Sequence, residues 1–167
     1  MAASTQPLRN RAPIRSRYIL RLRLGSDEYA IRHGLKQIRT HAARNGADCT
    51  VLGKIEIVLA EVLNNIAEHA YADHAQVGPI DITCTASPDS FRFAVLDRGA
   101  PPPADVLRAR PMPETYHPDS PLPEGGFGWH LITRLSVRLT FARKHGCNCL
   151  RFAVPITRDT MCPKDGE

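Results

Sequence analysis

The apolar positions begin with a period of two. Tyr18, Leu20, Leu22 and Leu24 alternate with Ile19, Arg21 and Arg23, which predicts a strand with one buried face. The period then lengthens. Ser26 or Asp27 can cap a helix running to about Ala43 and stopping at Asn45-Gly46. Asp48 can cap a second helix that continues to about His69, with Ile55, Leu59, Val62 and Ile66 as its core stripe. Alternation returns in Pro79 to Ser87, where Ile80, Ile82, Cys84 and Ala86 share a face opposite Asp81, Thr83 and Thr85. It continues in Phe91 to Asp97 after the turn signal Ser87-Pro88-Asp89. Residues 99 to 126 break the pattern: they hold eight of the chain's 14 prolines, beside Gly125 and Gly126, and allow only a short helix around Ala104 to Ala109. A loop of that length in a compact domain is a functional lid or a disordered segment. A short helix from Trp129 to Leu135 follows, then strands around Arg138 to Ala142 and Cys149 to Pro155, with a Gly146 turn between them. The order predicts an α+β fold, a two-layer α/β sandwich with helices on one face of a mixed or antiparallel sheet.

Composition narrows the setting. At 167 residues, with 43% hydrophobic and 23% charged side chains, the chain has a single-domain length and an ordinary globular make-up. No apolar run approaches the ~20 residues of a membrane span. The five cysteines are odd in number and form no C-x-x-C pair, which favours reduced thiols and a cytoplasmic home. The formal charge of +5 is concentrated at the start, where residues 1 to 26 carry six arginines and no acid. A targeting peptide, a nucleic-acid arm and a solvated tail all fit that description. The strand-like alternation and the single aromatic, Tyr18, favour the tail, with no direct nucleic-acid role and an arginine edge that suits an acidic protein partner. Residues 1–15 are therefore read as a basic arm, 16–156 as the domain and 157–167 as a tail. His145, Cys147 and Cys149 alternate along one strand and could ligate zinc, but no second ligand pair accompanies them. Leu150, Phe152 and Val154 form the more apolar face, which puts the thiols outside.

Three stretches carry candidate chemistry. In "EVLNNIAEHAY", Glu61, Asn65 and His69 stand at i, i+4 and i+8, one column on the helix with members about 6 Å apart. Glu61 and Asn65 lie at the edge of the core stripe and His69 just inside it. A neutral Asn oxygen suits Mg²⁺, and a carboxylate one turn earlier suits proton abstraction from a hydroxyl. The plain alternative is two solvated residues at a helix edge. Asp97 continues the apolar face of Phe91, Phe93 and Val95, and a carboxylate aimed at a core needs a donor. It is either an Asp-initiated turn bonded to its own backbone or an acceptor for a purine amine, with Gly99 permitting close approach. In "EGGFGWHLI", Gly126 and Gly128 precede an apolar helix whose free amides can seat a phosphate. The spacing matches neither a dinucleotide fingerprint nor a Walker loop.

In this order, the three stretches resemble the boxes of the GHKL, or Bergerat-fold, ATP-binding domain shared by DNA gyrase, sensor histidine kinases and mismatch-repair ATPases. "EVLNNIAEHAY" resembles the N-box, "VLDRGAP" the first glycine box and "EGGFGWHLI" the second. The E-x-x-x-N-x-x-x-H-A-Y form and the compact size look most like the bacterial anti-sigma-factor serine/threonine kinases, over about Tyr18 to Pro155. "ARKHGCNCLRFAVP" is similar to that family's closing hairpin. The resemblance implies Glu61 as catalytic base and Asn65 as the Mg²⁺ ligand. It implies Asp97 as receiver of the adenine amine, with His69, Gly99, Gly126, Phe127, Gly128 and Trp129 around the nucleotide and residues about 100–125 as a flexible ATP lid. Ala100-Pro101 stands where many members have a further glycine, and Glu124 where some kinases have a basic residue.

The implied function is an ATP- and Mg²⁺-dependent serine-protein kinase that phosphorylates an anti-sigma-factor antagonist, sequesters a sigma factor and pairs as a homodimer. Two alternatives stand beside it. One is an ATP-gated binding module without turnover. The other is a histidine-kinase catalytic domain, against which His33 is followed by Gly34 and not by an acid.

Overall fold

The computed structural model describes residues 18–72, 78–103 and 127–156. The basic arm, the C-terminal tail, the short helix expected around 104–109 and most of the expected lid lie outside the described residues. The described elements are strand β1 (Ile19–Gly25), helix α1 (Glu28–Arg44), helix α2 (Cys49–Asn65) ending in a π turn (Ile66–Ala70), strands β2 (Pro79–Ala86) and β3 (Ser90–Asp97), helix α3 (Phe127–Leu135), and strands β4 (Val137–Lys144) and β5 (Cys147–Pro155). The strands form one sheet in the order β1-β2-β3-β5-β4, with every neighbouring pair antiparallel. The sequence left mixed or antiparallel open; the sheet is antiparallel. Among the described residues the strands and helices follow the predicted order.

Local chemistry explains the boundaries. Asp27, not Ser26, caps α1, its carboxylate accepting from Ala30 N at 2.9 Å. Ser26 instead accepts from Gly78 N. The helix ends in a Schellman arrangement: Ala47 N donates to Ala42 O, Gly46 N donates to Ala43 O, and Gly46 has a φ of 91°. Asp48 caps α2 through Val51 N at 2.8 Å. Burial follows periodicity. Helix α2 turns Val51, Leu52, Ile55, Val58, Leu59, Val62 and Leu63 inward. They meet Ile80, Ile82, Cys84 and Ala86 of β2, Phe91, Phe93 and Val95 of β3, and Leu150, Phe152 and Val154 of β5. The Phe93 and Phe152 rings stack with centroids 5.2 Å apart. Burial pushes the Cys84 thiol up to about 12, so it packs as a small apolar group.

The end of the second helix differs from the expected regular run to His69. At Ile66 the α pattern gives way to a π turn, in which Tyr71 N reaches back five residues to Ile66 O at 3.1 Å. The added residue per turn breaks the i, i+4, i+8 column, so His69 is exposed and does not join the apolar stripe. The same turn frees Ala70 O to accept from Ala100 N at 2.8 Å and buries Tyr71. The Tyr71 hydroxyl accepts from Arg98 N and donates to Pro79 O, both at 2.9 Å. The phenol is pushed above its ordinary value, chiefly by burial. One side chain thus ties the helix end to β2 and to the loop after β3. Tyr71→Phe removes both bonds without changing shape, and urea denaturation is expected to show a loss of about 1–3 kcal/mol.

Candidate functional site

Strand β3 delivers Asp97 to the core side of the sheet at 6% exposure. Its cross-strand partner on β5 is Asn148, 2% exposed, and both sit at the open end of an apolar face. Asp97 Oδ1 accepts from Gly99 N at 2.9 Å and from Asn148 Nδ2 at 2.8 Å. The turn reading of D-x-G is therefore correct for one oxygen, while Oδ2 takes no hydrogen bond among the described residues. Burial raises the Asp97 carboxyl above its ordinary value, outweighing the two donors and the nearby Arg143 charge. The Asn148 amide also donates to Ala100 O at 3.1 Å, and Arg143 donates to Gly99 O at 2.9 Å and to Asn148 Oδ1. Gly99 is pressed against the π turn, where a Cβ would collide with the Ala70 carbonyl.

A second cluster forms where α3 meets α2. Ile132, fully buried, anchors α3 in the core. Its first turn lies so close to α2 that a Cβ on Gly128 would strike the Glu61 carboxylate and would stand 3.6 Å from Asn65 Nδ2. Glu61, Asn65 and Gly128 are thus neighbours in space. Asn65 Nδ2 is buried and donates to nothing among the described residues, an orphan that a polar ligand would satisfy. Between the clusters lies a cavity of about 430 Å³, within the range of small-molecule sites. Asn65 and His69 line it on the helix side, Asp97 and Asn148 on the sheet side, with Trp129, Phe141 and the run Pro101 to Pro103 around them.

Of the residues singled out in the sequence, Asn65, His69, Asp97 and Trp129 line this cavity, Glu61 and Gly128 adjoin Asn65, and Gly99 backs Asp97. Gly126 and the Phe127 side chain lie outside the described residues. The sequence reading missed Asn148, Arg143 and Phe141. Asn148 carried a signal: it continues the apolar face of Leu150, Phe152 and Val154, as Asp97 continues that of β3. Cys147 and Cys149 are half-buried and fall on the other parity of β5 from Asn148. Among the described residues no helix is long and apolar enough to cross a membrane.

The helical layer over an antiparallel sheet, with an acid at the end of β3 and an Asn-bearing helix across a cavity from it, defines an ATPase domain of the Bergerat, or GHKL, kind. The chain belongs to the histidine kinase-like ATPase domain family, whose model matches residues 26–154. ATP is the ligand that membership implies. No curated protein matches the chain. Among solved structures, it is similar to the RsbU and RsbW domains of Rv1364c from Mycobacterium tuberculosis. The TM-score is 0.58 at 19% identity, over 84% of this chain and 33% of that one, so this chain spans about a third of that chain's length. At that identity the likeness bears on the fold.

Two expectations follow. Gly99→Ala meets a backbone carbonyl that cannot swing aside and is expected to cost about 1–3 kcal/mol in urea denaturation. Gly128→Ala meets the mobile end of a Glu side chain, so it should leave stability near wild type. The second concerns pH. Asp97, with its folded pKa above the reference 3.8, binds more protons folded than unfolded between those values. Stability falls as pH rises through that window and stays lower above it. Asp97→Asn keeps an oxygen for both donors, so it should equal or exceed wild type at neutral pH, with the gap closing as pH falls towards 3.8. A variant less stable than wild type at every pH would show that the charge is fully compensated.

Proposed function

We propose that the chain is an ATP- and Mg²⁺-dependent protein serine/threonine kinase of the anti-sigma-factor type, acting in the cytoplasm as a homodimer. Its substrate would be an anti-sigma-factor antagonist and its sequestered partner a sigma factor. The observation that carries this reading is a pair of polar groups on one cavity that take no hydrogen bond among the described residues: Oδ2 of Asp97 and the buried Nδ2 of Asn65. Family membership and the three boxes in order support it. So does the E-x-x-x-N-x-x-x-H-A-Y form of the second helix.

The residues fit ATP. Asp97 Oδ2 would accept from the adenine amine, and the Trp129 and Phe141 side chains would exclude water from the base. They fit Mg²⁺ only together with the nucleotide. No group of three or more His, Cys, Asp or Glu side chains suited to a metal occurs among the described residues, and Asn65 offers one neutral oxygen. That donor set suits an ion that keeps several waters and binds mainly through phosphates. Bound MgATP supplies the γ-phosphoryl group and neutralises its developing charge. Asn65 holds the phosphate end of the site, and Glu61, one helical turn away, would take the proton from an incoming serine hydroxyl. Gly128, in the first turn of α3, adjoins the same end, where free amides at a helix start would favour a phosphate.

Labelled ATP and a cognate antagonist protein test this directly. Glu61→Gln is expected to keep ATP affinity within a few-fold and to slow transfer by about 10²–10⁴-fold. Wild-type protein that binds ATP yet transfers nothing would eliminate the kinase, leaving an ATP-gated binding module. Asp97→Asn, by contrast, should abolish preferential ATP binding while the fold persists.

A further inference from the structure

Beside Asp97 the site is bordered by a hairpin whose polar residues the sequence pattern leaves unassigned. Strands β4 and β5 are joined by His145 and Gly146, with φ of 49° and 75°, the two left-handed positions of a type I′ turn. That turn sets Lys144 opposite Cys147 and Arg143 opposite Asn148, and β3 in turn sets Asp97 opposite Asn148. Three polar side chains from three adjacent strands therefore stand in one row.

The orientation of the middle one is dictated from both sides. Asn148 Nδ2 faces three acceptors: Asp97 Oδ1 at 2.8 Å, Ala100 O at 3.1 Å and Gly99 O at 3.3 Å. Its Oδ1 faces the Arg143 guanidinium, which has no acceptor to offer. A flipped amide would put oxygen against three oxygens. Gly99 N adds a second donor to Asp97 Oδ1, so among the described residues all donation to the carboxylate falls on one oxygen. Both donors favour the ionised form of Asp97, in which the other oxygen can only accept.

We infer that Asn148, braced by Arg143, is the positioning residue that sets the base preference of this site. By holding Asp97 as an acceptor, it favours a purine with an exocyclic amine over one with a carbonyl at the same position. The inference rests on the nucleotide reading above. It assigns the choice of base to the β4–β5 hairpin, acting through Asp97. Arg143 can be tested conservatively, because a single nitrogen, Nη1, makes both of its hydrogen bonds among the described residues, to Asn148 Oδ1 and Gly99 O. A lysine ammonium supplies the same two donors from one atom.

Calorimetric affinities for ATP and inosine triphosphate, which differ at the purine amine, provide the test. Asn148→Asp places an acceptor against Asp97 and forces a proton between the two carboxyl groups. The ATP preference should fall by roughly tenfold or more. Arg143→Ala, at an exposed position, should lower it by about fivefold, and Arg143→Lys should restore it. Arg151→Ala, on the opposite face of β5, should leave both affinities at wild-type values. A merely structural role would weaken both nucleotides equally, and equal weakening in Asn148→Asp and Arg143→Ala would overturn the inference. Should Asn148→Asp fail to fold, the Arg143 pair decides alone. Wild-type protein that binds neither nucleotide would overturn the nucleotide reading and this inference with it; wild type that binds ATP, with the preference intact in Arg143→Ala, would overturn this inference alone.

Discussion

The site depends on keeping one carboxylate at the core-facing end of a strand. Left without donors, Asp97 would be expelled or neutralised by its surroundings. Gly99 N, Asn148 and the charge of Arg143 hold it in place, yet burial still raises its pKa. A group satisfied on every side would bind nothing; Asp97 lines the cavity, and its second oxygen takes no hydrogen bond among the described residues. The loop after β3 is arranged to supply those donors. Ala100 is bonded to the π turn, Arg98 N to Tyr71, and the Gly99 carbonyl to the hairpin.

The other end of the cavity rests on closeness of approach. Helices α2 and α3 meet where Gly128 has no side chain, and the space goes to Glu61 and Asn65. The π turn just beyond serves the same geometry. It ends the straight helix after Asn65, lifts His69 outward and brings the Ala70 carbonyl within reach of the loop carrying Gly99. A regular helix through this region would have kept the polar column intact but would have lost the tie between the helix and the sheet.

The fold was legible because burial obeys period. Strands β2 and β3 alternate cleanly, α2 repeats its apolar residues every three or four, and Asp27, Asp48 and Gly46 punctuate the helices as their chemistry requires. The π turn was not legible, because a single added residue leaves no periodic trace in five positions. Part of the site was legible from the same logic. Asp97 stood out as a charge on an apolar face, and Asn148 is its mirror on β5, hidden between two cysteines that drew attention to the wrong parity. Arg143 was beyond reach, since an exposed arginine on an edge strand looks like any other until the register places it against an amide.

Pro101, Pro102 and Pro103 give the cavity a wall with an unusual thermodynamic character. Each has its φ fixed by its ring and carries no backbone N–H. Such a stretch samples few conformations before a ligand arrives, so little chain entropy remains to be surrendered when one does. It also offers only carbonyl oxygens and ring carbons to whatever occupies the space. Along this side the pocket is therefore pre-shaped and donor-free, and hydrogen bonds into an occupant must come from the helix and the sheet.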